Sequence, residues 1–218
     1  FLYILLCCGD IEQNPGPESN LIKIMHWNLN SLLAHNSIRM PLIESYNLHN
    51  NYDFIALTET ALNSSVTNET IRLEGYTPLR SDLPANITHG GVLIYHKDTL
   101  PVRHRPDLQT HDNMVVCQLT LDNKNFFVTV TYRKHHSSEH QLKTFVQAFK
   151  EMCEKVRSES PYSVVHLGDL NARNSNWWHG DSDNEAGRLL IDVFDDISLA
   201  QMNQLIFLII VSLALTLS

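Results

Sequence analysis

Carboxylate and carboxamide side chains stand at the ends of several apolar segments of this sequence. Asp169 and Asn171 follow the apolar, β-branched run at residues 164–167 and the glycine at position 168. Such a run predicts a buried strand, and the glycine allows the chain to turn. The pair therefore stands at the carboxyl end of a strand, where the active sites of α/β proteins commonly lie. Taken alone, the two residues could equally form an Asx-type turn that bonds only to local backbone.

Other predicted strands end in the same way. One strand ends at Asn28, with Asn30 two positions later, and residues 53–60 form an apolar run that carries Glu59 near its end. A further strand ends at Tyr132. Each residue has an ordinary explanation when taken singly, such as a turn cap, a solvated strand end or half-buried core. Their recurrence at strand ends favours one shared site.

These side chain types suit the hydrolysis of a phosphate ester. Carboxylate and amide oxygens are the ligands that Mg²⁺ or Mn²⁺ prefers, and such a metal stabilises charge on the phosphoryl oxygens. A carboxylate can orient or deprotonate an attacking water, and neutral amide and phenol groups can bind phosphate without adding repulsion. We therefore predict a metal-dependent site for phosphate chemistry.

Helices and further strands are predicted between these strand ends. Apolar residues at helical spacing predict helices over residues 40–48, 141–156 and 187–197. A strand is predicted over residues 90–96, and the polar residues 122–125 between two apolar runs predict a hairpin. Strands alternating with helices favour a layered α/β domain, and 218 residues that are 43% hydrophobic suffice for a sizeable core.

The strand-end segments resemble, in order, the motifs of the endonuclease/exonuclease/phosphatase superfamily. They are Trp-Asn-Leu-Asn at residues 27–30, Thr-Glu-Thr at 58–60, Val-Thr-Tyr-Arg at 130–133 and Gly-Asp-Leu-Asn-Ala at 168–172. The resemblance is strongest to the apurinic-endonuclease-like domain of non-LTR retrotransposons and extends over about residues 21–203. It implies a DNase I-like, four-layer α/β/β/α sandwich. It also implies an Mg²⁺-dependent endonuclease that nicks DNA for target-primed retrotransposition, with a reverse transcriptase as partner if one is encoded downstream.

The resemblance assigns a role to each motif residue. Glu59 would ligate the metal, helped by Asn30. Asn28 would hydrogen-bond within the catalytic network, and Tyr132 would contact the scissile phosphate.

The remaining predicted site residues lie in and around the last two motifs. By the same resemblance, Asp169 would activate or orient water and Asn171 would steady the phosphate or the metal. Arg133 and Lys134 directly follow the tyrosine, which favours contacts to DNA phosphates. Trp177, with its neighbour at position 178, is interpreted as a base-stacking or groove contact or as a buried anchor.

One part of the family pattern is missing. The family ends its catalytic set with Ser-Asp-His, and this tripeptide does not occur in the sequence. His166 lies within a predicted strand and is interpreted as a core histidine. Since positioned acid–base groups contribute roughly 10²–10⁴-fold to rate, we expect a copy truncated at its carboxyl end, with its last strands missing and little activity.

A second resemblance concerns the amino-terminal segment. An apolar run able to form a helix precedes a motif that resembles a 2A ribosome-skipping peptide. Its defining residues are Asp10, Glu12, Asn14, Pro15, Gly16 and Pro17. The resemblance implies that the bond between the last two is seldom formed, so that the downstream product starts at Pro17. Residues 1–8 could otherwise be the core of a truncated signal peptide.

Three segments are therefore expected. Residues 1–17 form the skipping peptide, residues 18–204 the incomplete catalytic domain, and residues 205–218 an apolar tail. The tail is shorter than the ~20 residues of a membrane span. It could be a pair of core strands, a stub of membrane helix or frame-shifted translation, and the last is favoured.

Composition limits the cellular setting. A net charge of −8 excludes a general nucleic-acid coat protein, so DNA contacts must be local. The cysteines have no metal-binding spacing, which favours a reducing compartment, the nucleus or the cytoplasm, and no stable membrane partner is expected. Asn-x-Ser/Thr sequons at positions 63, 68 and 86 would instead support secretion, which is less expected.

Two alternatives remain open. A phosphomonoesterase or phospholipid phosphodiesterase of the same superfamily would share the metal site and differ in its loops. A catalytically dead remnant would bind DNA without cutting it.

Overall fold

A computed structural model describes most of the chain. The described residues are 3–7, 21–34, 38–84, 87, 89–160, 164–177, 182–197, 200–202 and 211–214. The skipping motif at residues 10–17, Trp178 and the sequon at position 86 lie outside them. In chain order the described elements are β1 (Tyr3–Cys7), β2 (Leu21–Asn28), α1 (Arg39–Asn50), β3 (Phe54–Thr58), β4 (Tyr76–Ser81), β5 (Val92–Lys97), β6 (Val102–His104), β7 (Met114–Leu121), β8 (Lys124–Tyr132), α2 (Glu139–Glu159), β9 (Val164–Asp169), α3 (Glu185–Asp196), β10 (Ala200–Met202) and β11 (Val211–Ala214).

The described strands form two sheets. One has six strands in the order β10-β1-β9-β8-β7-β6, and the other has five in the order β11-β2-β3-β5-β4. Among these strands, β2 pairs in parallel with β3 and β8 with β9, whereas the other neighbours are antiparallel. Parallel neighbours end on the same side, so Asn28 lies beside Thr58 and Tyr132 beside Asp169.

The two sheets pack face to face over an apolar core. The inward side chains include Ile22, Ile24, Phe54, Ala56, Val92, Ile94, Val115, Cys117, Val128, Val130, Val165 and Leu167. Side chains alternate between the two faces of a strand, so Asn28 continues the inward row of β2. By the same alternation, Tyr132 continues the inward row of β8, and Asp169 continues the inward row of β9. Three polar strand ends therefore face the space between the sheets.

Helices cover the outer faces of both sheets. Met40 and Ile43 of α1 pack on the outer side of the five-stranded sheet. Phe149 of α2 and Phe194 of α3 pack on the outer side of the other sheet. The predicted four-layer α/β sandwich is confirmed.

The predicted elements agree with the structure except near the chain ends and at short edge strands. All three predicted helices are present and extend one to two residues beyond most predicted ends. The prediction of a helix-forming run at the amino terminus is wrong for Tyr3–Cys7, which forms β1 between β9 and β10. Four residues of the predicted tail, Val211–Ala214, form β11 beside β2, in agreement with the core-strand alternative. Among the described residues, no helix is long and apolar enough to cross a membrane.

Candidate active site

One amide group connects the two carboxylates that the sequence placed at strand ends. Asn28 Nδ2 donates hydrogen bonds to Glu59 Oε1 at 2.9 Å and to Asp169 Oδ2 at 2.8 Å. Glu59 follows β3 in one sheet, and Asp169 ends β9 in the other. The amide thus joins the two sheets at the mouth of the space between them, and the predicted convergence of these three residues is observed.

Asp169 is the more deeply buried of the two carboxylates. The residue is 6% exposed, and burial raises the pKa of its carboxyl, with the charge of Glu59 acting in the same direction. Hydrogen bonds from the Asn171 backbone amide, at 2.9 Å, and from Asn28 oppose this rise. A carboxylate with raised proton affinity is a stronger base, which suits the activation of water.

Tyr132 lies beside Asp169 on the neighbouring strand. Burial raises the pKa of its phenol, and the charges of Glu59 and Asp169 and a hydrogen bond to Glu59 act in the same direction. The phenol therefore keeps its proton at neutral pH and can donate it in a hydrogen bond. The two strands approach closely because of Gly168, where a Cβ would lie 2.0 Å from the carbonyl oxygen of Thr131.

Several site residues adopt backbone conformations that non-glycine residues rarely occupy. Asn30, Glu59 and Asn171 have φ angles of 49°, 53° and 47°. Such strain is typical of functional sites and persists only where the surroundings enforce it. Here the Ser31 amide donates to the Glu59 carbonyl at 2.6 Å, and the Asn30 amide donates to Asn28 Oδ1 at 3.2 Å. The two loops that follow β2 and β3 are therefore tied together. Asn30 itself is exposed at the mouth of the site.

Arg133 and Lys134 occupy different environments. Lys134 is exposed and available to a ligand. Arg133 is 5% exposed, and its Nε, Nη1 and Nη2 atoms donate to the carbonyls of Leu170, Lys134 and Asn171 at 2.5, 2.8 and 2.7 Å. This placement favours a structural role for Arg133 over the predicted contact to substrate, because its hydrogen-bonding groups face the protein backbone.

Trp177 and His166 both contact the core beneath α2 and α3. Trp177 is partly buried and stacks on Phe194 with ring centroids 5.0 Å apart, as the anchor interpretation requires. His166 is buried, and its Nδ1 lies 2.7 Å from Thr129 Oγ1, which agrees with a core histidine. Its side chain projects on the outer face of β9, away from the inward row that ends at Asp169.

Sequence reasoning missed Asn184, which shapes the loop after β9. Its Oδ1 accepts from the amides of Gly187 at 2.8 Å and Arg173 at 3.0 Å, and its Nδ2 donates to the Asn171 carbonyl at 3.0 Å. An Asn directly before a helical pattern is a known N-cap signal and could have revealed the cap. The contact to Asn171 depends on the tertiary fold.

The donor set at the mouth fits a hard divalent cation. In the described parts of the chain, no three His, Cys, Asp or Glu side chains gather as a metal cage. Mg²⁺, however, commonly takes only one or two carboxylates and keeps several waters. Glu59 and Asp169 share a single amide as their link, so a cation here would offset two neighbouring negative charges. The exposed Asn30 could supply a further oxygen.

Comparison with known proteins identifies the family and the fold. The sequence profile of the Endonuclease/Exonuclease/phosphatase family matches residues 25–207, most of the chain. The chain belongs to this family. Members of the family are hydrolases that act on phosphodiester bonds. No curated protein matches the chain significantly.

Solved structures share the family fold. The endonuclease domain of TRAS1, a telomere-specific non-LTR retrotransposon, is 17% identical with a TM-score of 0.61, over 84% of this chain and 74% of that one. The AP endonuclease LMAP from Leishmania major is 13% identical with a TM-score of 0.69, over 87% and 72%. The 3′ phosphatase NExo from Neisseria, bound to a product DNA hairpin, is 22% identical with a TM-score of 0.56, over 80% and 70%. At these identities the similarity establishes the fold.

Proposed function

We propose that this chain is the endonuclease domain of a non-LTR retrotransposon and nicks DNA with the help of Mg²⁺ or Mn²⁺. The observation that carries the proposal is the amide of Asn28, which joins Glu59 and Asp169 at the mouth between the sheets. Family membership supports phosphodiester hydrolysis, and the similarity to the TRAS1 domain supports the retrotransposon setting.

Each side chain has a defined part in this reaction. A metal held by Glu59 and Asn30 would supply positive charge to the phosphoryl oxygens. Asp169, whose pKa is raised by burial, accepts a proton from the attacking water or orients it. The neutral phenol of Tyr132 donates a hydrogen bond to the scissile phosphate, and Asn171 steadies the same group. Asn28 holds both carboxylates at a fixed separation.

The DNA itself is expected to extend beyond these groups. Lys134 is exposed two residues after Tyr132 and supplies positive charge for a flanking phosphate. The partly buried Trp177 lies on the loop that follows Asn171 and would provide an apolar surface for a base or sugar. Both contacts belong to the proposal.

The test is nicking of supercoiled plasmid by the 218-residue chain with Mg²⁺ or Mn²⁺. We expect Asp169→Asn and Glu59→Gln each to lower the rate by roughly 10²-fold or more. Glu74→Gln is the matched control, because Glu74 is an exposed carboxylate whose only ion pair in the described part of the chain is with Arg72. Metal-independent nicking, or nicking that survives both site substitutions, would contradict the proposal.

A second candidate is a DNA-binding remnant without catalytic activity. A remnant binds DNA with strong dependence on salt and shows no metal-dependent cleavage before or after Asp169→Ala. A phosphatase of the same family would instead release inorganic phosphate from inositol phosphates or from 3′-phosphorylated DNA, so both substrates belong in the assay.

We further propose that residues 10–17 act as a ribosome-skipping peptide, which would separate β1 from the rest of the domain, and that the product works inside the cell beside a reverse transcriptase. Residues 1–17 placed between two reporter proteins and translated in vitro should give two separate products. Asn14→Ala and Pro17→Ala should restore one fused product. A fused product from the unaltered segment would overturn this assignment.

A further inference from the structure

The loop after β9 depends on a buried guanidinium group. Asp169 is the last residue of β9 and Asn171 lies in this loop, while Arg133 is the first residue after β8, the parallel neighbour of β9. The Arg133 backbone amide donates to the Asp169 carbonyl at 2.9 Å and so continues the pairing of the two strands. Its guanidinium then passes beneath the loop, where it bonds to the carbonyls of Leu170 and Asn171 at 2.5 and 2.7 Å.

These bonds enforce an unusual backbone conformation. Asn171 has a φ of 47°, in the left-handed region that residues with a Cβ avoid. Its carbonyl accepts from both Arg133 and Asn184, and its Nδ2 donates back to the Arg133 carbonyl at 2.7 Å. The conformation matters for the site, because it directs the Asn171 amide to Asp169 Oδ1 at 2.9 Å.

The partners of Arg133 are neutral. Every guanidinium hydrogen bond in the described residues ends on a backbone carbonyl, so its charge is not consumed in an ion pair. That charge instead lies close enough to Asp169 for the two groups to interact electrostatically. Arg133 therefore acts on Asp169 mainly by fixing the loop that orients it.

We propose that Arg133 is a positioning residue that locks the Asp169–Asn171 loop in its active shape, a proposal that rests on the proposed nuclease function. Arginine suits the task because its planar fork reaches three carbonyls at once, whereas a lysine ammonium offers one compact group. The direct contact to DNA predicted from the sequence would then fall to Lys134 and not to Arg133.

Kinetics of plasmid nicking test the proposal. We expect Arg133→Met to lower kcat at least tenfold, with KM changed less than threefold, because DNA contacts stay intact while the reacting groups are misplaced. Arg133→Lys keeps the charge and should recover only part of the loss. Arg105→Met is the matched control, since Arg105 is also buried but bonds Asp107 and Glu159 beside Phe127, far along β8 from Tyr132. At temperatures where the Arg105→Met protein is folded, its kcat should stay within twofold of the kcat of the unaltered chain.

A second measurement is independent of catalysis. Under strongly native conditions, hydrogen exchange at the Asn171 amide should be at least tenfold faster in Arg133→Met and Arg133→Lys than in the unaltered chain or in Arg105→Met. If the unaltered chain does not nick DNA, the proposed function fails while the exchange result still decides whether Arg133 holds the loop. The proposal would be overturned if the Asn171 amide exchanged at an unchanged rate in a folded Arg133→Lys protein. It would also be overturned if the kcat of Arg133→Met stayed within twofold of that of the unaltered chain.

Discussion

Asn28 shows why a neutral donor is needed between two acidic groups. An amide can give one hydrogen atom to Glu59 and another to Asp169, and it adds no charge of its own. An aspartate at the same position would bring a third negative charge into a partly buried space. The residue type thus follows from the electrostatics of the site.

Removal of the Asn28 amide should alter the pH dependence of nicking. Burial raises the pKa of Asp169, and the hydrogen bond from Asn28 lowers it. Because Asn28→Ala removes this hydrogen bond, it should raise the pKa of Asp169 further. The acid limb of the kcat/KM profile should therefore move to higher pH, with a loss of rate of roughly 10²-fold because the catalytic carboxylate is no longer positioned. Asn50→Ala at the end of α1 is the control, because among the described residues its amide donates only to the Tyr46 carbonyl. An acid limb that stays in place would contradict this assignment.

His166 should make the fold sensitive to acid. Burial lowers the pKa of His166 from 6.5 to about 4, so the folded chain holds it neutral while the unfolded chain protonates it below pH 6.5. Its contribution to stability is complete above pH 6.5 and is lost as the pH falls towards 4. Between pH 7 and 5 the loss should be about 2 kcal/mol.

Urea denaturation at several pH values measures this effect. His166→Gln can keep a hydrogen bond to Thr129 and should flatten the acid limb by that amount. The exposed His140→Gln is the control and should retain the slope of the unaltered chain. An equal slope in His166→Gln and the unaltered chain would show that His166 is not the titrating group.

At the scale of elements, α3 contacts the active-site loop at its first turn. Gly187 lies against Arg173, where a Cβ would stand 1.9 Å from the carbonyl oxygen. The helix can approach the loop this closely only without a side chain at that position. The Asn184 cap then bonds to both the helix and Asn171.

Gly187→Ala should therefore separate α3 from the loop. We expect a loss of about 3 kcal/mol in the free energy of unfolding, since backbone atoms must move to admit the methyl group. Gly75→Ala is the control, because Gly75 has a φ of 77° and open space around it, so that only the backbone strain of about 1–2 kcal/mol applies. Equal losses in the two variants, measured by urea denaturation, would contradict the packing argument.

The sequence revealed the elements whose patterns were strong. The β7–β8 hairpin followed from Asp122 and Asn123, which both take the positive φ angles that such turns require. The strand β4 was missed because its sequence contains Pro78 and is only half buried, so its apolar alternation is weak. The short β6 carries too few residues to show a period.

At the scale of the whole molecule, the site lies between the two sheets. Asn28, Glu59, Tyr132 and Asp169 could be predicted as neighbours because each ends a strand. The burial of Arg133 could not be predicted, since a basic residue after a strand is more often solvated. The Arg133 side chain is buried because it bonds to the loop that follows β9. The left-handed Asn171 likewise depends on contacts from two other elements.

Metal binding across the sheets should stabilise the whole fold. A ligand that binds only the folded chain adds about 2.7 kcal/mol when its concentration is 100 times Kd. We therefore expect Mg²⁺ or Mn²⁺ to raise the melting temperature of the unaltered chain and to have little effect on Glu59→Gln. Glu74→Gln should respond as the unaltered chain does. The same rise in all three proteins would place the metal elsewhere.

The Asn28–Asp169 bond joins positions 141 residues apart in the chain. After β2 has left the ribosomal exit tunnel, the 141 residues up to Asp169 must still be synthesised, which takes roughly 7–30 s at ordinary elongation rates. During that interval the hydrogen bond between Asn28 and Asp169 cannot form. A chain whose synthesis stops before Asp169 therefore has no assembled active site.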